Sequence, residues 1–395
     1  MRWHDGVSRR RLLIVGMIVV LLAVVIAAWQ VVPRPLDRSI GATLSEVLVS
    51  PNGSHLALNY TEDILPFTKT RKVSPSDIRF NVTIEIRNLA TGRLEHRIEH
   101  RNAYGTGSMA FSPDSRSLLL SRCANSRIPF HHPDNSLYRF DLSNGKTEEV
   151  MSGVSKFWIN RNGNTLWTYV EDPRDRPGRI GPTYLVQRDM RTGEELRKPL
   201  VLSGRIVSVN SNATVAVTDS WRPIIDRDGK VRRSSWDPTM YVWDLISGKQ
   251  LACLGGTSYP IHSAAFSLDG KMFAACGISP KSPPVRVWDV QSGQVICTLT
   301  GNARNTQKIA FSPDGKELAR VNGDGEVMLW DIERAVDDWA WPGKEVKHIA
   351  FTPDGKHLIT GSNHNAGTAS GPRYVRGSLT MLDVETGRPV RTISP

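Results

Sequence analysis

Phe311-Ser312-Pro313-Asp314-Gly315 decides the fold, because the turn it contains returns six more times along the chain. The other copies are Ser50-Pro51-Asn52-Gly53, Ser112-Pro113-Asp114-Ser115, Asn160-Arg161-Asn162-Gly163, Asn210-Ser211-Asn212-Ala213, Ser267-Leu268-Asp269-Gly270 and Thr352-Pro353-Asp354-Gly355. Each is followed by an apolar strand that ends in Asp or Asn and then a second turn. These read IRNLATG from Ile86, FDLSNG from Phe140, RDMRTG from Arg188, VWDLISG from Val242, VWDVQSG from Val287, LWDIERA from Leu329 and LDVETG from Leu382. The two series interleave without a gap, and such periodicity is the mark of a repeat fold.

Gly tolerates positive φ and Asx side chains bond their own backbone, so both series read as tight turns. Each unit is then a four-stranded antiparallel meander, with strands a and b flanking the first turn and c and d flanking the second. One such sheet cannot bury both faces alone. Seven packed radially bury them against one another and leave only short edges, which is an all-β, seven-bladed β-propeller. Its 395 residues could hold two or three average domains, so the repeat count and not the length settles the matter. The 11 Trp, 32 Gly and 24 Pro suit many short strands joined by turns.

The motifs FSPDG (Phe311 to Gly315), Trp243-Asp244, Trp288-Asp289 and Trp330-Asp331 resemble the WD-repeat family, over nearly everything from Thr43 to Pro395. Blades four to seven match specifically. Blades one to three carry Arg87, Phe140 and Arg188 where the tryptophan stands, and the family's Gly-His dipeptide before strand a is replaced by Gly256-Thr257, Gly301-Asn302 and Gly343-Lys344. The resemblance implies a non-enzymatic interaction scaffold. Ring closure departs from many family members: Pro389 to Pro395 can supply the last strand d, so the ring closes by packing alone or with a short pairing from Arg38 to Ala42.

Ahead of the repeats, Leu12 to Val32 is 21 residues without a charge. As a helix it would be about 31 Å long, the thickness of a hydrocarbon core. Arg9, Arg10 and Arg11 precede it, so the positive-inside rule puts a basic tail (1–11) in the cytoplasm, a signal-anchor helix at 12–32, a linker at 33–42 and the propeller (43–395) outside. A cleaved signal peptide, with Val25-Ile26-Ala27 before the cut, and a twin-arginine export signal at Ser8 to Leu13 are the competing readings. Either still exports the propeller. Cys123, Cys253, Cys276 and Cys297 lie far apart without a C-x-x-C pair, which reads as separate packed thiols, with a disulfide left open for an exported domain.

Antiparallel connectivity places the a–b and c–d turns at one end of every blade and the b–c and d–a loops at the other. The excess length falls in the b–c loops: 61–81, 121–136, 170–183, 219–239, 277–284 and 361–377. Insertions concentrated on one rim of a repeat array commonly mark its binding face. Together these loops carry a net charge of +6, out of a formal +11 for the chain. The binding-face candidates are Trp221, Arg222, Arg232, Arg233, Trp236, Arg373 and Arg376, residue types enriched at interfaces. A basic field favours an acidic protein partner or anionic lipid; for a domain outside the cell nucleic acid is not expected.

Other chemistry reads weakly. Asp226-Arg227-Asp228-Gly229 and Asn322-Gly323-Asp324-Gly325 resemble calcium loops but lack further oxygen ligands, and turn chemistry accounts for them. His131-His132-Pro133-Asp134 holds too few ligands for a metal, and no cofactor is indicated. The positions facing the central channel are Glu46, Ser108, Lys156, Ile206, Ser263, Lys308 and His348. Glu46, Lys156, Lys308 and His348 are the channel candidates for the alternative function, an enzyme or small-molecule binder, although the set pairs no nucleophile with a base.

Overall fold

The computed structural model describes residues 40–64, 79–103, 106–122, 135–154, 156–170, 183–219, 224–225, 231–232, 239–255, 261–277, 285–299, 306–365, 374–375 and 377–393. The predicted span at 12–32, the tail and most of the linker lie outside them. Among the described residues no helix is long and apolar enough to cross a membrane.

Seven four-stranded antiparallel sheets follow one another, each in chain order a-b-c-d. They occupy 40–103, 106–152, 157–202, 205–254, 261–299, 308–341 and 346–393. Side-chain chemistry sets their turns. In blade six the Ser312 hydroxyl bonds Asp314 Oδ1 at 2.7 Å, and that oxygen accepts the Lys316 N–H at 3.1 Å. The Ser312 hydrogen bond above all holds the Asp314 carboxyl below its ordinary range. Gly315 takes φ +75°, a value that an added Cβ would strain. The c–d turns use the same device, with Asp289 Oδ1 accepting from both the N–H and the hydroxyl of Ser292 at 2.7 Å. In every blade the residue after the strand-c Asp or Asn donates its N–H back to the a–b turn, from Leu89 to Ser54 O in blade one through Val384 to Lys356 O in blade seven. Both turn series therefore lie on one face, as the sequence predicts.

Apolar clusters fill the seams between neighbouring blades. Ala274, Cys276, Val287, Leu318 and Trp330 pack between blades five and six, for example, and Leu44, Val47, Leu58, Ile359 and Leu379 between seven and one. The tryptophan position shows how the degenerate repeats work. Trp243 Nε1 donates to Thr218 Oγ1 at 2.8 Å. Blades five and six place Ala275 and Arg320 where blade four has Thr218, and the indole nitrogens of Trp288 and Trp330 have no partner among the described residues. Trp330 instead lies under the Arg320 guanidinium, 4.9 Å from the ring centre. In blades one and three Arg87 and Arg188 reach the carbonyls of Gly92 and Gly193, at 3.2 and 3.1 Å.

Among the described residues the ring closes without a shared strand. Strand a of blade one begins at Ile40, three residues earlier than expected, and pairs inside its own blade, Ile40 with Asp63. Closure rests on packing and a polar clasp. Asn363 accepts the Leu44 N–H at 2.7 Å and donates to the Leu44 carbonyl at 3.1 Å, imitating one rung of a sheet. The expected loops also need a correction: the 61–81 insertion continues the b–c ladder out to Ile64 and Arg79, and two-residue ribbons form at Ile224–Ile225 with Val231–Arg232 and at His364–Asn365 with Tyr374–Val375. Backbone that leaves a sheet in an antiparallel pair gains hydrogen bonds by continuing the ladder. Cys253, Cys276 and Cys297 are free thiols. Burial pushes the Cys276 thiol up to about 12 and the Cys297 thiol to about 11, which makes both inert at neutral pH.

Candidate functional site

Strand a lines the channel, and a β-bulge recurs in it at the same place. Ser45, His262 and Lys347 are the extra residues in blades one, five and seven, and in blade six the Gln307 N–H shares Val321 O opposite Lys308. A bulge bends the strand and re-aims the side chain beside it. The residue just past it is Glu46, Ser263, Lys308 or His348. Neighbouring bulge residues also meet, His262 Nε2 and Gln307 Oε1 at 3.3 Å.

Three of the four channel candidates come together where blades six, seven and one meet. His348 Nε2 lies 2.9 Å from the Leu44 carbonyl, which can only accept, so this nitrogen carries the proton. Burial, reinforced by Lys308 and Lys347, lowers the His348 imidazole to about 4, and it is neutral at pH 7. Burial raises the Glu46 carboxyl, and Lys308 partly offsets this. Lys308 itself is exposed to the channel. Lys156 is exposed and immediately precedes strand a of blade three, Phe157–Ile159. Ser263 serves the seam, its hydroxyl accepting the Ile309 N–H at 3.1 Å.

The cluster's chemistry is that of a joint. His348 is committed to the carbonyl that Asn363 also holds, leaving Lys308 as the most exposed of the three. Among the described residues no group of three or more His, Cys, Asp or Glu could hold a metal ion. Sequence reasoning named His348 but missed its partner: Asn363 lies inside the 361–377 insertion, where nothing in the residue pattern marks it.

Of the rim candidates, Trp221, Arg222, Arg233, Trp236, Arg373 and Arg376 lie outside the described residues. Arg232 is in the short ribbon paired with Ile224, and only its backbone is described. What is described fixes the framework: the b–c connections of blades one, two, three, four, five and seven all leave the same rim, and strand a of blade one begins there too.

Two segments, residues 293–331 and 340–366, match the family model described as WD domain, G-beta repeat. No curated protein is similar enough to match. Among solved structures, the chain is similar to the computationally designed Ika8 protein at 15% identity and a TM-score of 0.53, over 89% of this chain and 86% of that one. At that identity the likeness concerns the fold alone. The chain is thus a seven-bladed β-propeller, two segments of which are similar to the WD repeat.

Proposed function

We propose that this chain is a non-enzymatic interaction scaffold, held to a membrane by residues 12–32, which offers the loop-bearing basic rim to a protein partner. WD-repeat propellers are typical protein-interaction scaffolds, and the two matched segments support that role here. The observation that carries the finer part is the position of Ile40. The chain reaches the propeller on the same rim as the six long b–c connections, and only residues 33–39 separate it from the apolar segment. Seven residues span at most about 25 Å, so the rim faces the bilayer that the segment occupies. There Arg222, Arg232, Arg233, Arg373 and Arg376 meet a partner's acidic loops or anionic head groups, each charge contributing on the order of 1 kcal/mol at low salt.

Protease added to intact cells is expected to digest the propeller and spare an N-terminal tag; protection of the propeller, or its full release into the soluble fraction, overturns the anchored topology. Residues 40–393 should bind anionic vesicles at low ionic strength and lose them when the five arginines become glutamate. Equal retention on neutral vesicles removes lipid as the ligand and leaves a protein partner. The alternative of a small-molecule site in the channel has Lys308 beside Glu46 in its favour, but His348 is engaged in closing the ring.

A further inference from the structure

The outer edges of the seven blades differ in length and in charge. Strand d of blade one, Leu94–Ala103, has ten residues. The other six have three to six: Thr147–Ser152, Leu200–Leu202, Gln250–Leu254, Val295–Leu299, Val336–Trp341 and Pro389–Ile393. Each ends its sheet, and among the described residues no strand pairs with its outer side. An outer strand turns every second N–H and carbonyl away from strand c, a row of groups able to bond another strand. Short edges offer few of them. Edges of one sign repel a second copy, and blade two carries Glu148 and Glu149, blade six Asp337 and Asp338. Pro389, which has no N–H, opens the edge of blade seven. Blades four and five present five uncharged residues each, with no charge to fix a register.

Blade one combines the longest edge with charges that alternate in sign. Every second residue along it reads Glu95, Arg97, Glu99 and Arg101. β-Bulges displace the strand at Glu95 and again beyond His100, and His96 to His100 between them form a regular stretch centred on Ile98. Arg97 and Glu99 stand opposite Glu85 and Thr83 of strand c, hence on one face of the sheet. Arg97 Nε and Glu99 Oε1 lie 3.2 Å apart, with the two side chains 41% and 46% exposed. The other face is turned to the interior: Ile98 is buried in the seam with blade two, and His96 Nε2 donates to Leu142 O at 2.8 Å. Glu95 is held by His55 Nε2 at 3.2 Å, so the charges at the outer edge are centred on Arg97 and Glu99.

We propose that this edge pairs with the same edge of a second copy of the chain, antiparallel and about a two-fold axis at Ile98, so that two four-stranded blades become one continuous sheet. The occupant follows from the charges. A two-fold at Ile98 sets Arg97 of each copy against Glu99 of the other, and with the pair already formed inside each copy the four side chains close a ring of alternating sign. Opposite charges facing across antiparallel strands stabilise the pairing, and like charges oppose it. An isologous contact needs this self-complementarity. A foreign strand would have to reproduce the alternation, which a second copy supplies by symmetry. Three steps of sheet twist, about 20–25° each, turn strand d well away from the direction of strand a, which lines the channel. The two-fold, perpendicular to the paired edges, then runs closer to the channel axis than across it, and both loop-bearing rims point to the same side. The edge lies on the circumference, so this contact stands or falls apart from the function proposed for the rim.

The test uses the full chain in a mild detergent, read by sedimentation velocity. The chain should pass from monomer to dimer with rising concentration, below about 100 μM. Arg97→Glu and Glu99→Arg each set like charges across the two-fold and should weaken the dimer at least about tenfold. Mixed in equal amounts, these two variants should dimerise again, because each then meets the opposite charge on the other. The double exchange Arg97→Glu, Glu99→Arg should dimerise with itself and not with the original chain. A chain that stays monomeric to about 100 μM overturns the proposal and leaves the edge to another protein's strand. A dimer that the single variants leave unchanged overturns it too, since association then lies elsewhere in the chain, as does a mixture of the two variants that stays monomeric. Recovery in the mixture is a readout that a loss of folding could not produce.

Discussion

The seam between blades seven and one and the seam between blades two and three share a strand order and a turn chemistry, yet one is clasped and the other is open. At the first, Leu44 is held by Asn363 and His348, and Arg391 reaches the next blade's turn. At the second, Glu148 is paired with Arg139, and no described side chain donates to the Met190 carbonyl. The clasped seam also has to join the two ends of the ring, where no covalent turn links the blades. The open one joins consecutive blades, which the chain holds together in any case. The closing seam, to which the chain supplies no covalent link, is therefore held by side-chain bonds as well as by packing.

The comparison can be broken at four points, of decreasing size. Between pH 7 and 4.5, acid should weaken the clasped seam through His348. His348 titrates near 4 when folded and near 6.5 when unfolded, so between these values the unfolded chain holds the extra proton. Its contribution to stability is complete above pH 6.5, declines as pH falls through that window, and is lost below 4, by up to about 3 kcal/mol. Thermal unfolding at pH 7 and 4.5 should show this drop, and His348→Gln should flatten it; an equal drop in the variant would assign it elsewhere.

Asn363→Ala leaves the Leu44 N–H without its acceptor and should cost about 2 kcal/mol. Glu148→Ala, the control in the open seam, removes an exposed pair with Arg139 and should change stability by less than about 0.5 kcal/mol. Comparable losses from the two would erase the distinction between the seams. Trp339→Phe removes the donor to Val384 O together with part of the indole's packing, so urea midpoints should report a loss of about 1–2 kcal/mol. The smallest effect is expected from Ala275→Thr, which places a hydroxyl where Thr218 meets Trp243 and gives the Trp288 indole an acceptor. A gain of about 0.5 kcal/mol is expected, since the hydrogen bond outweighs the crowding of one buried methyl; a net loss would show that the site is too tightly packed.

Much of this architecture could be read along the chain because it is local. Turn chemistry acts within five residues, so Ser312, Asp314 and Gly315 announce their turn wherever they occur, and seven copies count seven blades. The alternation of apolar residues within strands b and c says which positions enter the seams, and Leu318 and Trp330 are buried as that pattern requires. Antiparallel order alone then separates the turn face from the loop-bearing rim. The bulge in strand a was not legible, because it depends on the register of two strands and leaves no fixed residue type behind.

By itself, then, the sequence determined the blade count, the four-stranded meander, the face on which the turns gather and the rim to which the insertions go, all consequences of interactions between residues near in sequence. Only the tertiary structure decided which seams are latched. Asn363 and Leu44 are 319 residues apart, and the reach from Arg391 to Thr91 spans 300. Pairs so distant have no periodicity to betray them. Whether a turn carbonyl meets a side-chain donor is settled by the neighbouring blade, which the local chain does not specify.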